Sequence, residues 1–467
     1  MSQSSQFLTE MQDNSQRPPR ALTRIRRVLF VTHDFPPNRT SATYRVTGLT
    51  QALPQLGWLP TVLTIQGRNF TQEPELLQKL PPEVKIVRTK FLPVNGWENK
   101  AASRIQNAGA LKPQEAVGGK PPAIDSFLRS FAGLVRSTFY FPDHTVGWVP
   151  YALSAAIKLH RQNPFDVIYT TSPPRSAPLI GLLLKRFLRV PMVTELMDPW
   201  WTSTRPLRRR SDDWLHTQLL RRSDRLIVML PQHAEELARS FQVPPEKLVI
   251  VRNGFFEDDF AAIENTEPNS LDPTYFHFSH FGTIYPGNEG EFFVALAEVL
   301  KERPELKSTI RLHLVGFPST EVVRYTKQNE ELKEITQYHG FLPKRKDTLQ
   351  MMRSSDYLLL CWGRPELSRL AIAGKTYDYL RAGRPILAVT AAGGGIAELI
   401  KRAGAGWVLP PDDKQVIKKI LRQILGELRK QRLNGPPRPD YVAQFRWDRL
   451  AEPLARALQE AVGDVTT

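Results

Sequence analysis

Short apolar runs that stop abruptly at turn residues, each followed by a helical stretch, recur along this chain, and that alternation limits what it can fold into. The first run is "RRVLFVTHDFPP"; "SATYRVTGLTQALPQLG" follows, closed by Gly57, and then a second run, "LPTVLTI". Strand, loop, helix and strand in about 40 residues make a βαβ unit, the building block of a parallel sheet. The pattern resumes with "FDVIYTTSPP", "SAPLIGLLLKRFLRV", "PMVTELMDPWW", a basic helix, "DRLIVML", "PQHAEELARSF" and "KLVIVRNGF". A second set opens near residue 274 with "YFHFSHFGTIYPG" and continues through "IRLHLVGFP", "TQYHGFLP", "YLLLCW" and "PILAVTAAGGG", with helical stretches between.

The chain has 467 residues, room for two such sets, so the reading is α/β with two Rossmann-like parallel-sheet domains facing a cleft. The expected limits are a flexible polar tail over 1–22, an N-terminal domain over 23–252 and a C-terminal domain over 253–440. A mobile Gly/Pro/Ala-rich insertion is expected at about 100–122, and the amphipathic stretch within 441–467 should pack back on the N-terminal half. Open α/β sheets bind ligands just beyond the carboxyl ends of their strands. The informative segments are therefore those that follow the strands: "HDFPPNRTS", "TTSPPRS", "ELMDPWW", "FGTIYPGN", "VGFP", "HGFLP" and "GGG".

Composition removes several classes. The single cysteine, Cys361, excludes an internal disulfide and a Cys-based zinc site, and reads as a core residue in a reducing compartment. The longest apolar candidate, "SAPLIGLLLKRFLRVPMV", is broken by Lys185, Arg186 and Arg189, so no spanning helix is expected. The N-terminus lacks the apolar core of a secretory signal, which makes the glycosylation sequons at Asn38 and Asn69 accidental. The expected location is cytoplasmic, with peripheral contact at the inner face of a membrane. That contact is suggested by a formal charge of +16 and by "RPLRRRSDDWLHTQLLRRSDR", residues 205–225. This stretch reads either as a solvated helix face or as a patch toward acidic headgroups, where each cation contributes about 1 kcal/mol. No RNP aromatics, finger spacing or helix-turn-helix signature is present, so a nucleic-acid partner is not expected.

The ordered series "VLFVTHDFPPNRTSATYRV", "DVIYTTSPPRSAPLIGLLL", "ELMDPWW", "VRNGF", "HFGTIYPG", "LHLVGF", "HGFLP" and "GKTYDYLRAGRPIL" resembles retaining glycosyltransferases of family 4, from about residue 27 to about 425. The resemblance implies the GT-B fold and a nucleotide diphosphate sugar held by the C-terminal half. It further implies transfer of a hexose to a saccharide or lipid-linked acceptor with retained configuration, no resident cofactor and no catalytic metal. No Asp-x-Asp follows a strand in either half, in keeping with that last point.

Carried over position by position, the donor-binding residues are Gly282, Thr283, Gly316, Gly340, Phe341, Lys375, Tyr377, Asp378, Gly394 and Gly395. Asp378 matches the second of two glutamates that family members place eight positions apart; Leu370 stands where the first belongs, and Glu366 is out of register by four. A carboxylate at Asp378 suits two vicinal ribose hydroxyls. Lys375 reads as a diphosphate contact or as the partner of Asp378 in an i,i+3 ion pair. The Arg and Lys usual after the first C-terminal strand are missing from "FGTIYPGNEG", so Lys375 would compensate, with Arg45 or Arg175 as helpers. On the acceptor side stand His33, Asp34, Asn38, Arg39, Thr40, Ser41, Arg45 and Trp200, with His144 and Trp148 on a segment that could reach the cleft. Asp198 and His144, with Lys375, are the catalytic candidates, the first two by orienting the acceptor. The departures from the family pattern keep alternatives open: another enzyme on this fold, an inactive scaffold that binds nucleotide sugar, or a nucleic-acid binder suggested by charge alone.

Overall fold

A computed structural model of the chain describes residues 24–67, 72–92, 141–200, 206–265, 271–364, 370–426 and 437–463. The polar tail, the 100–122 insertion, Trp201 and Glu366 lie outside the described residues. The chain divides into two compact units, one of residues 1–228, 234–250 and 451–467, the other of residues 229–233 and 251–450.

The first unit is a parallel sheet of seven strands in the order β3-β2-β1-β4-β5-β6-β7. The strands are β1 (Arg26–Val31), β2 (Trp58–Ile65), β3 (Lys85–Thr89), β4 (Val167–Ser172), β5 (Met192–Leu196), β6 (Arg225–Val228) and β7 (Leu248–Ile250). Helices α1 (Ser41–Ala52), α2 (Val149–Gln162), α3 (Ser176–Leu188), α4 (Pro206–Arg222) and α5 (Pro231–Phe241) connect them. β1, β4 and β5 are buried along almost their whole length, as strands covered by helices must be; β1 ends in an apolar run, and β4 and β5 add buried Thr, Ser and Glu to their apolar residues. The edge strand β3, "KIVRT", has no such run and leaves no mark in the sequence pattern.

The second unit repeats the plan with six parallel strands in the order β10-β9-β8-β11-β12-β13. They are β8 (Phe276–Thr283), β9 (Ile310–Phe317), β10 (Thr336–Gly340), β11 (Tyr357–Cys361), β12 (Ile386–Val389) and β13 (Gly406–Leu409). The helices are α6 (Glu257–Glu264), α7 (Phe292–Glu302), α8 (Thr320–Gln328), α9 (Arg345–Ser354), α10 (Lys375–Ala382), α11 (Gly395–Ala403) and α12 (Lys414–Gly426). Two apolar clusters form its core, one holding Tyr377, Tyr379 and Phe445, the other Phe278, Phe292 and Cys361. The last helix, α13 (Trp447–Val462), runs from the second unit into the first, where Glu460 accepts from Arg225 Nε at 2.8 Å.

In both sheets the strand order reverses beside the first strand of the set, between β1 and β4 and between β8 and β11. Neighbouring loops diverge at such a point and leave a crevice over the strand ends.

Candidate functional site

In the second unit the reversal lies between β8 and β11, and one cation stands there. Lys375, the first residue of α10, points its ammonium at His280 Nε2, 3.0 Å away, and at the Thr283 carbonyl, 3.2 Å away. Gly282 is exposed, and a Cβ placed on it would lie 3.6 Å from Lys375 Nζ, so the ammonium sits at the opening beside bare backbone. Desolvation pulls its pKa down to about 8, although part of the side chain's surface remains in water. Among the described residues it forms no ion pair with a carboxylate. The expected i,i+3 pair with Asp378 is not made, because Asp378 turns toward α9, where Arg345 holds it through Nη2 at 2.8 Å and Nη1 at 3.3 Å.

Tyr379 fixes α10 against the sheet: its hydroxyl accepts from Phe281 N at 2.8 Å and donates to the Leu359 carbonyl at 3.3 Å. Tyr377 lies on the opposite side, 1 % exposed, its ring against Phe445 at 5.1 Å. This corrects the expectation that Tyr377 binds donor. It is core, because two residues from Lys375 on a helix is more than half a turn away.

The glycines divide by role. Gly282 and Gly316 are register partners with φ of +91° and +108°, and a Cβ on Gly316 would meet the Gly282 carbonyl at 2.6 Å. Gly316 therefore serves the close approach of β8 and β9. Gly340 follows a bulge in β10, and Phe341 beyond it stacks on Phe317 at 6.4 Å, with Phe317 58 % exposed. Gly394 is the N-cap of α11 and supplies no side-chain cap, while Gly395 packs so tightly that a Cβ would lie 3.2 Å from Leu230 and 3.4 Å from Ile372. That packing sets the uncapped end of α11 beside the segment leading to Lys375; the first N–H groups of a helix lack internal acceptors and favour an anion.

A ladder of three histidines across the same sheet was not anticipated. His277 Nε2 faces the Asp272 carbonyl at 2.7 Å, His277 Nδ1 meets His313 Nε2 at 2.8 Å, and His313 Nδ1 meets His339 Nε2 at 2.9 Å. Since a carbonyl only accepts, each neutral ring in turn must carry its hydrogen on Nε2. Burial holds His313 down to about 3.

In the first unit, His33 is buried and bonds Asp34 through Nδ1 at 2.8 Å. Thr40 caps α1 by accepting from Thr43 N at 3.0 Å, Ser41 is exposed, and Arg39 pairs with Glu73 at 3.2 Å. Asn38 is buried, and its side-chain oxygen has no hydrogen-bond partner among the described residues. Arg45 does not reach solvent. At 1 % exposure its guanidinium is spent on Glu195 of β5, with Nε at 2.6 Å, and this overturns its assignment to acceptor or diphosphate. Arg175 is likewise engaged, by Asp212 at 2.9 Å and over the Trp200 ring at 4.6 Å. Trp200 also stacks on His216 at 5.0 Å, which corrects its placement among the acceptor contacts: its ring is already occupied by protein.

Trp148 is core as well, donating to Thr89 at 2.7 Å. His144 is exposed on a segment anchored by Asp143, which accepts from Thr145 N and Ser176 N, both at 2.9 Å. Asp198 is exposed after β5, and desolvation raises its carboxyl pKa, an effect moderated by that exposure. On α4 the outward residues are Arg209, Arg210, Asp213, Trp214, Arg221 and Arg222, with Trp214 55 % exposed. No described helix is long and apolar enough to cross a membrane.

Comparison with known proteins agrees with this architecture. The model of the glycosyl transferase 4-like domain matches residues 122–254, and that of glycosyl transferases group 1 matches residues 277–427. A D-inositol 3-phosphate glycosyltransferase of Streptomyces scabiei is 24% identical over 263 residues, covering 53% of this chain and 56% of that protein. The chain thus spans about half the length of the curated relatives it matches. A probable glycosyltransferase, WbjE of Pseudomonas aeruginosa, is 36% identical over 92 residues, 18% of this chain and 23% of that protein. Among solved structures, Anabaena HepE in complex with UDP superposes with a TM-score of 0.52 at 14% identity, covering 94% of this chain and 98% of that one. Sucrose-phosphate synthase from Thermosynechococcus elongatus gives 0.54 at 13% identity, with 94% of each chain covered. Two matched family models in chain order, on two Rossmann-like sheets of the GT-B type, place this chain in the group 1 glycosyltransferases.

Proposed function

We propose that the chain transfers a hexose from a nucleotide diphosphate sugar to an acceptor hydroxyl, with retention, in polysaccharide or glycolipid synthesis. The observation that carries this reading is Lys375, a cation without a carboxylate partner at the β8–β11 reversal. Departure of a nucleoside diphosphate builds negative charge, and a fixed cation and the uncapped N-terminus of α11 lower the barrier where that charge appears. HepE, solved with UDP and with UDP-glucose, supports a nucleotide sugar as donor. In this reading a leaving phosphate oxygen takes the acceptor proton, so neither a metal nor a resident cofactor is required. Asn38, Asp198 and His144 serve the acceptor.

The acceptor is proposed to sit at an acidic membrane, on the strength of the exposed arginines around Trp214 on α4. Vesicles of anionic lipid at low salt should bind the wild type and bind Trp214→Ala less; equal failure of both removes the membrane from the proposal.

Calorimetry with UDP, GDP and ADP against wild type and Lys375→Ala tests the donor site. One nucleotide bound by wild type and at least tenfold more weakly by the variant is expected. A folded wild type that binds none of them favours the alternative, a scaffold without transferase activity.

A further inference from the structure

The ammonium of Lys375 is held by a histidine on β8, and the arrangement around that ring is closed. His280 Nδ1 lies 2.9 Å from the Leu359 carbonyl of β11, which can only accept, so Nδ1 carries the hydrogen. Nε2 is then a bare lone pair, and Lys375 Nζ stands 3.0 Å from it as donor. The second acceptor, the Thr283 carbonyl, is neutral too. An imidazolium in that place would turn a proton toward the ammonium and repel it. The Leu359 and Thr283 carbonyls both favour a protonated ring, but burial first and the neighbouring lysine second outweigh them and keep it uncharged, with its pKa well below the ordinary value.

We infer that His280 is a positioning residue: locked as the Nδ1–H tautomer, it aims the Lys375 ammonium at the donor diphosphate without neutralising it. This rests on the donor site proposed above. A carboxylate at position 280 would fix the lysine as well but cancel the charge the diphosphate must meet; a neutral acceptor fixes it and leaves the charge for the ligand.

The remaining titratable neighbours do not supply a counter-ion. Cys361 on β11 is pushed up to about 12 by burial and stays a neutral thiol, and Glu289, in the loop after β8, reaches Cys361 only electrostatically. Asp378, a turn along α10, is taken by Arg345. An anion arriving at Lys375 therefore favours its protonated form, and UDP binding above neutral pH takes up a proton. Affinity is fullest below about pH 8 and falls as pH rises through that value.

The test has two arms on the full chain. The first needs no ligand: 15N NMR of the His280 ring at pH 7 should show Nδ1 protonated and Nε2 bare, and a protonated Nε2 overturns the inference whatever the protein binds. In the second, UDP is titrated by calorimetry in buffers of different ionisation enthalpy between pH 7 and 9. Wild type should take up protons around pH 8. His280→Leu should bind UDP about tenfold more weakly, and His280→Gln, which keeps an acceptor, should recover part of that loss. A His280→Leu protein with wild-type affinity and proton uptake refutes the positioning role while leaving the donor site intact. A wild type with the expected tautomer that binds none of UDP, GDP and ADP refutes both.

Discussion

Arg345 and Asp378, 33 residues apart, form a two-pronged ion pair at 2.8 and 3.3 Å, and the third nitrogen of the same guanidinium reaches Asp259 on α6 at 2.5 Å. Each carboxylate oxygen of Asp378 accepts from one Arg345 nitrogen, and a carboxylate oxygen can accept more than one hydrogen bond. The pairing therefore orients the carboxylate and is compatible with hydrogen bonds from a ribose diol.

Arg345→Met should destabilise the protein by about 2 kcal/mol, because it removes a shared guanidinium from two largely buried carboxylates. It should also weaken UDP binding through Asp378. Urea unfolding and calorimetry of Arg345→Met, Asp378→Asn and the double variant would show coupling. Purely additive effects would argue against a shared role.

The pair formed by Arg45 and Glu195 is more deeply buried, at 1 % and 0 % exposure. Removing either partner should cost about 3–5 kcal/mol, while Arg45→Met with Glu195→Leu should recover much of the loss. Urea midpoints decide. A stable, active Arg45→Met would restore a surface role for the arginine.

Gly316→Ala should destabilise the second unit by about 1–3 kcal/mol, the cost of a side chain at a positive φ of +108°. The added methyl also meets the Gly282 carbonyl, so UDP affinity should drop with stability. Unchanged thermal melting would mean that β8 and β9 part freely.

Four histidines are held below their ordinary pKa by burial: His313 at about 3, His233 at about 4, His280 well below its ordinary value, and His339 to a lesser degree. The unfolded chain binds protons at these rings from about pH 6.5 downward and the native state refuses them, so stability falls as pH drops from 6.5 toward 4. His313→Asn should lessen that loss. Urea midpoints at pH 7 and pH 4.5 are the check, and a midpoint that rises on acidification contradicts the assignment.

The alternation that reads as two α/β sets was legible because β1, β4, β8 and β11 are buried along most of their length: β1 and β11 are largely apolar, and β4 and β8 interleave apolar residues with Thr, Ser and His whose polar groups bond inside the sheet. Lys375 was found because it follows a loop and begins a helix. Its partner was not: His280 stands inside an apolar run, where nothing local distinguishes a ring that faces a lysine from one that faces core. Arg345 and Glu195 were missed because their partners are distant in sequence. Tyr377 was assigned by motif, although helix geometry already turns it away from Lys375. Tryptophan, too, was read by type: Trp148 was placed on a segment that could reach the cleft and Trp200 on the acceptor side, and their neighbours show otherwise.

The histidine ladder has an electrical consequence. All three rings carry their hydrogen on Nε2, so their dipoles add in one direction across β10, β9 and β8, at right angles to the strands. The positive end is buried at the Asp272 carbonyl, and the negative end is the bare Nδ1 of His339, beside Gly340 and Phe341. The lone pair beside Gly340 and Phe341 thus suits an N–H donor, while the ammonium at the β8–β11 reversal suits an anion. A molecule with a base at one end and a diphosphate at the other meets a field that already tells its two ends apart.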